Sequence, residues 1–295
     1  MFSIGNKPFT PDSEPFFYDG EISLTVRRLD VADPVTGGNK WFKLRYNLER
    51  LQKEGFSKLL TFGGAWSNHI AAVARMGKLS GIETFGIIRG GESSLQNVTL
   101  TRARNDGMKI IFVSRESYKR KNEPAFVAEI VENPESFFII PEGGSNLEGV
   151  RGCTEIFDKT DSQFTDIVVA CGTGTTAAGL ILSMHKHQKL TGFSVLRDNG
   201  SIEKNINQLM EQISPDIQPM NWKIQHDFHF GGYAKTNSEL NQFISDFNRK
   251  TGIPSEPVYT AKMFFGLEKL IQHGYFEPGA KILAIHTGGL QYLLP

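Results

Sequence analysis

The stretch Gly37-Gly38-Asn39-Lys40 sets a lysine at the junction of a glycine loop and a helix. The helix is legible because Phe42, Leu44, Leu48 and Leu51 recur at near-helical spacing, while Lys43, Arg45, Glu49, Arg50 and Lys53 fill the other face. Asn39 is a good N-cap, which puts Lys40 in the first turn. An ammonium there opposes the positive end of the helix dipole, and partial burial pushes its pKa the same way, towards the neutral amine. A neutral amine is what a lysine needs to form a Schiff base with a carbonyl. These residues alone leave open a plainer alternative, a capped surface helix whose lysines are solvated.

Three glycine-bearing turns could hold a ligand. Gly63-Gly64-Ala65-Trp66-Ser67-Asn68-His69 follows an apolar run and precedes a helix. Amides at a helix start bind anions, and Ser67 either caps that helix or offers its hydroxyl to a ligand carboxylate. Gly143-Gly144-Ser145-Asn146 repeats the theme before a helix at Glu148 and reads as an ordinary loop and cap. Cys171-Gly172-Thr173-Gly174-Thr175-Thr176-Ala177-Ala178-Gly179 opens a helix directly after an apolar strand, the setting in which backbone N–H groups cradle a phosphate. The hydroxyls of Thr173, Thr175 and Thr176 add donors. Spaced as Gly172-x-Gly174-x-x-Ala177, with Asp198 near the end of the next strand, it also matches a dinucleotide-binding fingerprint, although the threonines suit a single phosphate better. The pairs His226/His229 and His185/His187 have no evident third metal ligand and read as loop or surface histidines. No P-loop and no Gly-x-Ser-x-Gly elbow is present.

The elements that must position these residues alternate from residue 40 onward. Strands are expected at 22–29, 58–62, 84–88, 109–113, 137–140, 166–170, 191–196, 222–225 and 281–286. Helices are expected at 71–79, 98–105, 118–131, 176–187, 202–213, 238–249 and 261–273. Continuously apolar strands such as Ile167-Val168-Val169-Ala170 suit a parallel sheet covered by helices on both faces. The expected fold is α/β with two domains, each an open, mostly parallel sheet with helices on both faces. Residues 1–48 and 151–295 form the larger domain, and 49–150 a smaller one inserted between them. A crevice between two such domains is a common cofactor site.

With 32 basic and 32 acidic residues the net charge is zero and the basic residues are scattered, which points to neither nucleic acid nor a membrane surface as partner. Cys153 and Cys171 lie in apolar stretches and read as buried thiols of a reducing compartment. The residues after Met1 lack a signal-peptide core, and no apolar run reaches spanning length, so a cytoplasmic protein is expected.

Together these residues resemble fold-type II pyridoxal-phosphate enzymes, whose fold is that of the tryptophan synthase β chain, and within them the D-cysteine desulfhydrase / 1-aminocyclopropane-1-carboxylate deaminase family. The resemblance runs from about residue 24 to 289. It rests on Gly37-Gly38-Asn39-Lys40 with Lys43-Leu44, on Ser67-Asn68-His69, on Gly172–Thr176, on Pro257-Val258-Tyr259 and on His286-Thr287-Gly288-Gly289. It implies pyridoxal 5'-phosphate held by Lys40, not Lys43, with Gly172, Thr173, Gly174, Thr175 and Thr176 on the phosphate and Asn68 on the phenolic oxygen. Ser67, Asn68 and His69 would receive the carboxylate of a small amino-acid substrate. Tyr233 and Tyr259 match the family's two active-site tyrosines, and a homodimer is implied.

Thr260 and Thr287 occupy places where the deaminase branch has a glutamate facing the pyridine nitrogen and a leucine. A hydroxyl cannot keep that nitrogen protonated as a carboxylate does, which weakens the ring as an electron sink. Both threonines, and His69 in place of the deaminases' usual glutamine, therefore favour β-elimination over cyclopropane opening. Trp66 departs from the family's glutamine and stands beside the carboxylate site, and Ile70-Ala71 lack the arginine that usually follows. The chain stops at Pro295, where relatives generally continue.

Overall fold

Strands that are apolar on both faces need a covering layer on each side, and this chain builds two such sheets. The computed structural model describes residues 10–13, 15–18, 21–31, 36–92, 96–197, 200–216 and 220–290. The larger sheet contains β1 (Phe16–Tyr18), β2 (Ile22–Arg28), β7 (Asp166–Cys171), β8 (Lys189–Ser194), β9 (Asn221–Gln225) and β10 (Lys281–His286), in the order β1-β2-β10-β7-β8-β9. Only β1 runs antiparallel to its neighbour. The smaller sheet contains β3 (Lys58–Gly64), β4 (Glu83–Arg89), β5 (Lys109–Val113) and β6 (Phe137–Ile140), all parallel, in the order β5-β4-β3-β6.

Successive side chains of a strand point to opposite faces, and here each face meets its own core. Along β7, which is buried throughout, Ile167 and Val169 join Val150, Ala177 and Ile181, whereas Val168 and Ala170 join Met263, Phe264 and Leu267. β10 does the same with Leu283 and Ile285 on one side and Ile282 and Ala284 on the other. In β3, Leu59 packs on one face, and Leu60 with Phe62 on the other.

The helices are α1 (Asn39–Lys53), α2 (Asn68–Ser80), α3 (Val98–Asn105), α4 (Arg115–Tyr118), α5 (Pro124–Ala128), α6 (Leu147–Thr154), α7 (Thr175–Ser183), α8 (Ser201–Ile213), α9 (Ser238–Thr251) and α10 (Thr260–Gln272). Among the described residues none is long and apolar enough to cross a membrane. The helix expected over 118–131 is instead two short ones. Pro124 begins α5 at its first turn, and the preceding Glu123 sits in the extended region (ψ 130°), as the residue before a proline prefers. The helix expected to reach 187 stops at Ser183. Gln188 is the cause: its side chain accepts from His185 N–H at 2.8 Å and donates to the carbonyls of Asp161 and Phe164, drawing the chain into β8.

α6 locks the site-bearing helices together. A Cβ on Gly152 would lie 1.8 Å from the Phe42 carbonyl oxygen, and one on Gly179 would lie 2.4 Å from Cys153 Cβ. Only glycine permits this approach, and it brings α1 and α7 onto α6 with their N-termini converging.

Candidate active site

The C-terminal ends of β3, β7 and β10 open onto one cavity of about 300 Å³. Parallel strands all deliver their following loops to the same edge, which is why residues far apart in the chain meet here. The cavity takes Lys40 from α1, and Ser67, Asn68 and His69 from the start of α2. Gly172, Thr173, Gly174 and Thr176 enter from the β7–α7 turn, with Tyr233, Tyr259 and Thr287 completing the predicted set. Two predicted residues lie behind the wall. Thr175 is fully buried, its hydroxyl 2.9 Å from that of Thr173 and donating to Ser145 Oγ at 3.0 Å. Thr260 is fully buried, its hydroxyl accepting from the Glu256 N–H at 2.9 Å.

Lys40 is aimed by the turn before it. Gly38, at φ 71°, donates its N–H to the Leu29 carbonyl at 2.7 Å, and the Asn39 N–H donates to the Thr287 carbonyl at 3.1 Å. Asn39 is not the N-cap that its residue type suggests: Gly38 is, without a side-chain cap. The Asn39 side chain is drawn away by tertiary partners. Its Nδ2 donates to Thr176 Oγ1 at 2.9 Å, and its Oδ1 accepts from Lys40 Nζ at 2.8 Å. Burial, then the like charge of Lys43, lowers the Lys40 amine to about 7. Lys43, itself lowered by burial, donates to the Gly143 carbonyl at 3.2 Å. Labelling of Lys40 by a water-soluble aldehyde, trapped with cyanoborohydride and read by peptide mass spectrometry, should therefore rise through about pH 7. Lys43→Ala should move that midpoint to higher pH, because a repelling positive charge is removed. An unmoved midpoint would assign the shift to burial alone.

At the start of α2, Ser67 is the cap: its Oγ accepts from the Ile70 N–H at 3.3 Å, which leaves the hydroxyl proton for a ligand. His69 departs from the sequence expectation. The Thr61 hydroxyl donates to the Ile140 carbonyl at 2.8 Å, so at 2.8 Å from His69 Nε2 it must accept. Nδ1 is thus a lone-pair acceptor, without a partner among the described residues. Burial, then Lys40 and Lys43, push the imidazole well below its usual pKa and keep it neutral. A neutral acceptor is a poor partner for a carboxylate, whereas the Ser67 hydroxyl and the N–H groups of the helix start are donors suited to an anion.

The β7–α7 turn places glycine and threonine at the start of a helix. Gly174 caps it at φ 79°, and the Asn205 side chain reaches both the Thr173 carbonyl and, at 3.1 Å, Ser145 Oγ. Ser145 and Asn205 carry no distinctive signal in the sequence, because Gly143–Asn146 reads as an ordinary capped turn and Asn205 is one polar residue on an amphipathic helix. Asp198, needed by the dinucleotide alternative, lies outside the described residues. Arg89 and Glu142, also missed, line the same cavity.

The Tyr233 and Tyr259 rings meet edge-to-face, 6.0 Å apart. Burial pushes Tyr233 up to about 12 and Tyr259 well above its usual value, so both phenols stay protonated. The Tyr233 hydroxyl donates to the Trp66 carbonyl at 3.4 Å, while the Trp66 side chain is 52 % exposed and does not line the cavity. Glu256, fully buried, is a second carboxylate near this wall, in addition to Glu142. Its oxygens accept from the N–H groups of Val258, Tyr259 and Thr260, each at 2.7 Å.

This donor set fits a phosphorylated aldehyde: an amine that is neutral near pH 7, a glycine–threonine helix start for the phosphate, and the Asn68 amide for a ring oxygen. The comparisons with known proteins agree. A Thermotoga maritima protein provisionally named 1-aminocyclopropane-1-carboxylate deaminase is 32% identical over 284 residues, covering 91% of this chain and 89% of that protein. A bifunctional D-cysteine desulfhydrase/1-aminocyclopropane-1-carboxylate deaminase of Arabidopsis thaliana, mitochondrial, is 28% identical, covering 90% of this chain and 72% of that one. A crystal structure described as an ACC deaminase homologue superposes with a TM-score of 0.80 at 28% identity, over 91% of this chain and 85% of that chain. The family model described as pyridoxal-phosphate dependent enzyme matches residues 20–288, and the chain belongs to that family, with pyridoxal phosphate as its cofactor.

Proposed function

We propose that this enzyme removes a β-substituent from a small amino acid and releases the nitrogen as ammonia, with D-cysteine or a close analogue as substrate and a keto acid, ammonia and sulfide as products. The observation that carries this reading is that the Lys40 amine, lowered to about 7, shares one cavity with the N-terminal starts of α2 and α7. Lys40, Asn68, Gly172–Gly174 and Thr176 would hold pyridoxal phosphate, which would supply the electron sink for the pair left at Cα. The Lys40 amine, neutral above about pH 7, takes the Cα proton. Ser67, Asn68 and the N–H groups behind them hold the carboxylate, which fixes the amino acid's orientation. The protonated phenols of Tyr233 and Tyr259 face the departing group, Tyr233 giving up its long 3.4 Å bond to the Trp66 carbonyl to donate to it.

Thr287 brings a hydroxyl to the cavity wall, and the carboxylate of Glu256 is held by the N–H groups of Val258, Tyr259 and Thr260, while Glu142 is the carboxylate that lines the cavity. Thr287 and the engaged Glu256 favour a weaker electron sink, and Thr260 lies behind the surface. A thiolate or chloride departs as negative charge forms and tolerates a weaker sink, whereas a cyclopropane has no such leaving group. Cyclopropane opening is the second reading, favoured by the names of the relatives. A side-by-side keto-acid and sulfide assay on D-cysteine, L-cysteine, β-chloro-D-alanine and 1-aminocyclopropane-1-carboxylate should show elimination well ahead of ring opening. A cyclopropane turned over best would reverse the assignment.

The same reading takes 1–48 and 151–295 as the cofactor-binding domain with 49–150 inserted, which the two sheets support. It also takes a homodimer and a cytoplasmic setting, the latter supported by Cys153 and Cys171 being free and buried.

A further inference from the structure

Lys262 on α10 is fully buried, yet it neither lines the cavity nor pairs with a carboxylate among the described residues. Its Nζ donates to two backbone carbonyls of one turn, His229 at 2.9 Å and Gly232 at 2.7 Å. That turn is strained. Phe230 and Ala234 sit at φ 53° and 55°, where side-chain-bearing residues rarely go, and Gly231 and Gly232 at 91° and 117°. Tyr233, enclosed by these four residues, is the one whose side chain enters the cavity.

Packing alone does not explain a lysine here, since burying an ammonium is costly and an aliphatic residue would fill the same space. Burial lowers the amine to about 8, with the nearby Glu256 opposing, so the cation predominates at neutral pH and both hydrogen bonds are charge-assisted. Lys262 lies three residues beyond Tyr259, the N-cap of α10, so one end of α10 presents one tyrosine and ties down the turn that carries the other.

We propose that Lys262 is a positioning residue: its ammonium clamps the strained turn over 229–232 and thereby holds the Tyr233 phenol in the cavity against Tyr259. The proposal rests on the reading above, in which Tyr233 meets the substrate. It acts through Tyr233 and touches neither cofactor nor substrate.

The test is Lys262→Met in the holoenzyme, read by hydrogen exchange over 229–235, by the visible absorbance of the bound cofactor, and by kcat/KM with and without Tyr233→Phe. Protection of 229–235 should fall and the absorbance should stay. The kcat/KM should drop by about tenfold or more in the wild-type background, but by less than twofold in Tyr233→Phe, because coupled residues are not additive. Lys262→Gln, which keeps two N–H donors, should recover part of the protection and rate, and carries the same readouts where the methionine variant does not fold. Unchanged protection, or losses that multiply in the double variant, would overturn the clamp. If Tyr233→Phe alone leaves turnover intact while Lys262→Met loosens the turn, the clamp stands and the role given to Tyr233 fails.

Discussion

Replacing Lys40 with alanine is expected to abolish the visible absorbance of bound pyridoxal phosphate and, with it, turnover. In the proposed function the amine has two tasks in one cavity, holding the aldehyde and taking the Cα proton, and no neighbour can assume both. Lys43 is the only other cavity-lining lysine among the described residues, but its Nζ is committed to the Gly143 carbonyl at 3.2 Å, and its helical position turns it towards the Gly143–Gly144 turn. Loss of the proton-transfer task alone should cost roughly 10²–10⁴-fold. Loss of the cofactor anchor makes the measured activity indistinguishable from background. Lys43→Ala should keep the absorbance and part of the rate, with the Lys40 midpoint moved to higher pH. Borohydride reduction followed by peptide mapping reads the result directly, and a reduced adduct on Lys43 would overturn the assignment.

Gly38→Ala should be the most damaging single substitution outside the reacting groups. At φ 71° an alanine is strained, and its Cβ would lie 2.1 Å from the Thr287 carbonyl oxygen and 2.8 Å from Gly288 Cα. Both contacts are backbone, so no side chain can swing away. The left-handed conformation and the overpacking together cost about 2–5 kcal/mol. The damage is local to the site, because the same turn carries the hydrogen bonds from Gly38 to Leu29 and from Asn39 to Thr287 that aim Lys40. A fall in Tm with cofactor uptake reduced out of proportion to the folded fraction is the expected pattern. A variant with wild-type Tm would mean that the turn relaxes freely.

Much of the architecture was legible because its cause is local. Strands such as Lys109–Val113 and Lys281–His286 are short apolar runs between turn residues, and their expected limits match the structure. Ser67 was readable as a cap, since a serine before an apolar helix start has one hydrogen bond to make and makes it. The order of Gly37–Lys40, Ser67–His69, Gly172–Thr176 and His286–Gly289 pointed to one family, because loops after parallel strands all emerge at one edge. The break at Pro124 was equally local and could have been read from the proline itself.

What only the tertiary structure decided depends on groups far apart in the chain. Asn39 gives up the cap because Thr176, 137 residues away, offers its amide a partner. His69 becomes an acceptor because the hydroxyl of Thr61 is already spent on Ile140, a choice of proton position that no residue type encodes. Thr260 matches a ring-facing position by motif, yet the buried carboxylate of Glu256 organises the start of α10 and leaves that hydroxyl behind the wall. Lys262 is one cation in an amphipathic pattern, and a solvated lysine would look the same. Sequence patterns report which face of an element is apolar, and so they determine the layers and the turns that must carry chemistry. Which polar atom meets which is settled only when the layers pack, because a buried donor or acceptor takes whichever partner the fold brings within about 3 Å.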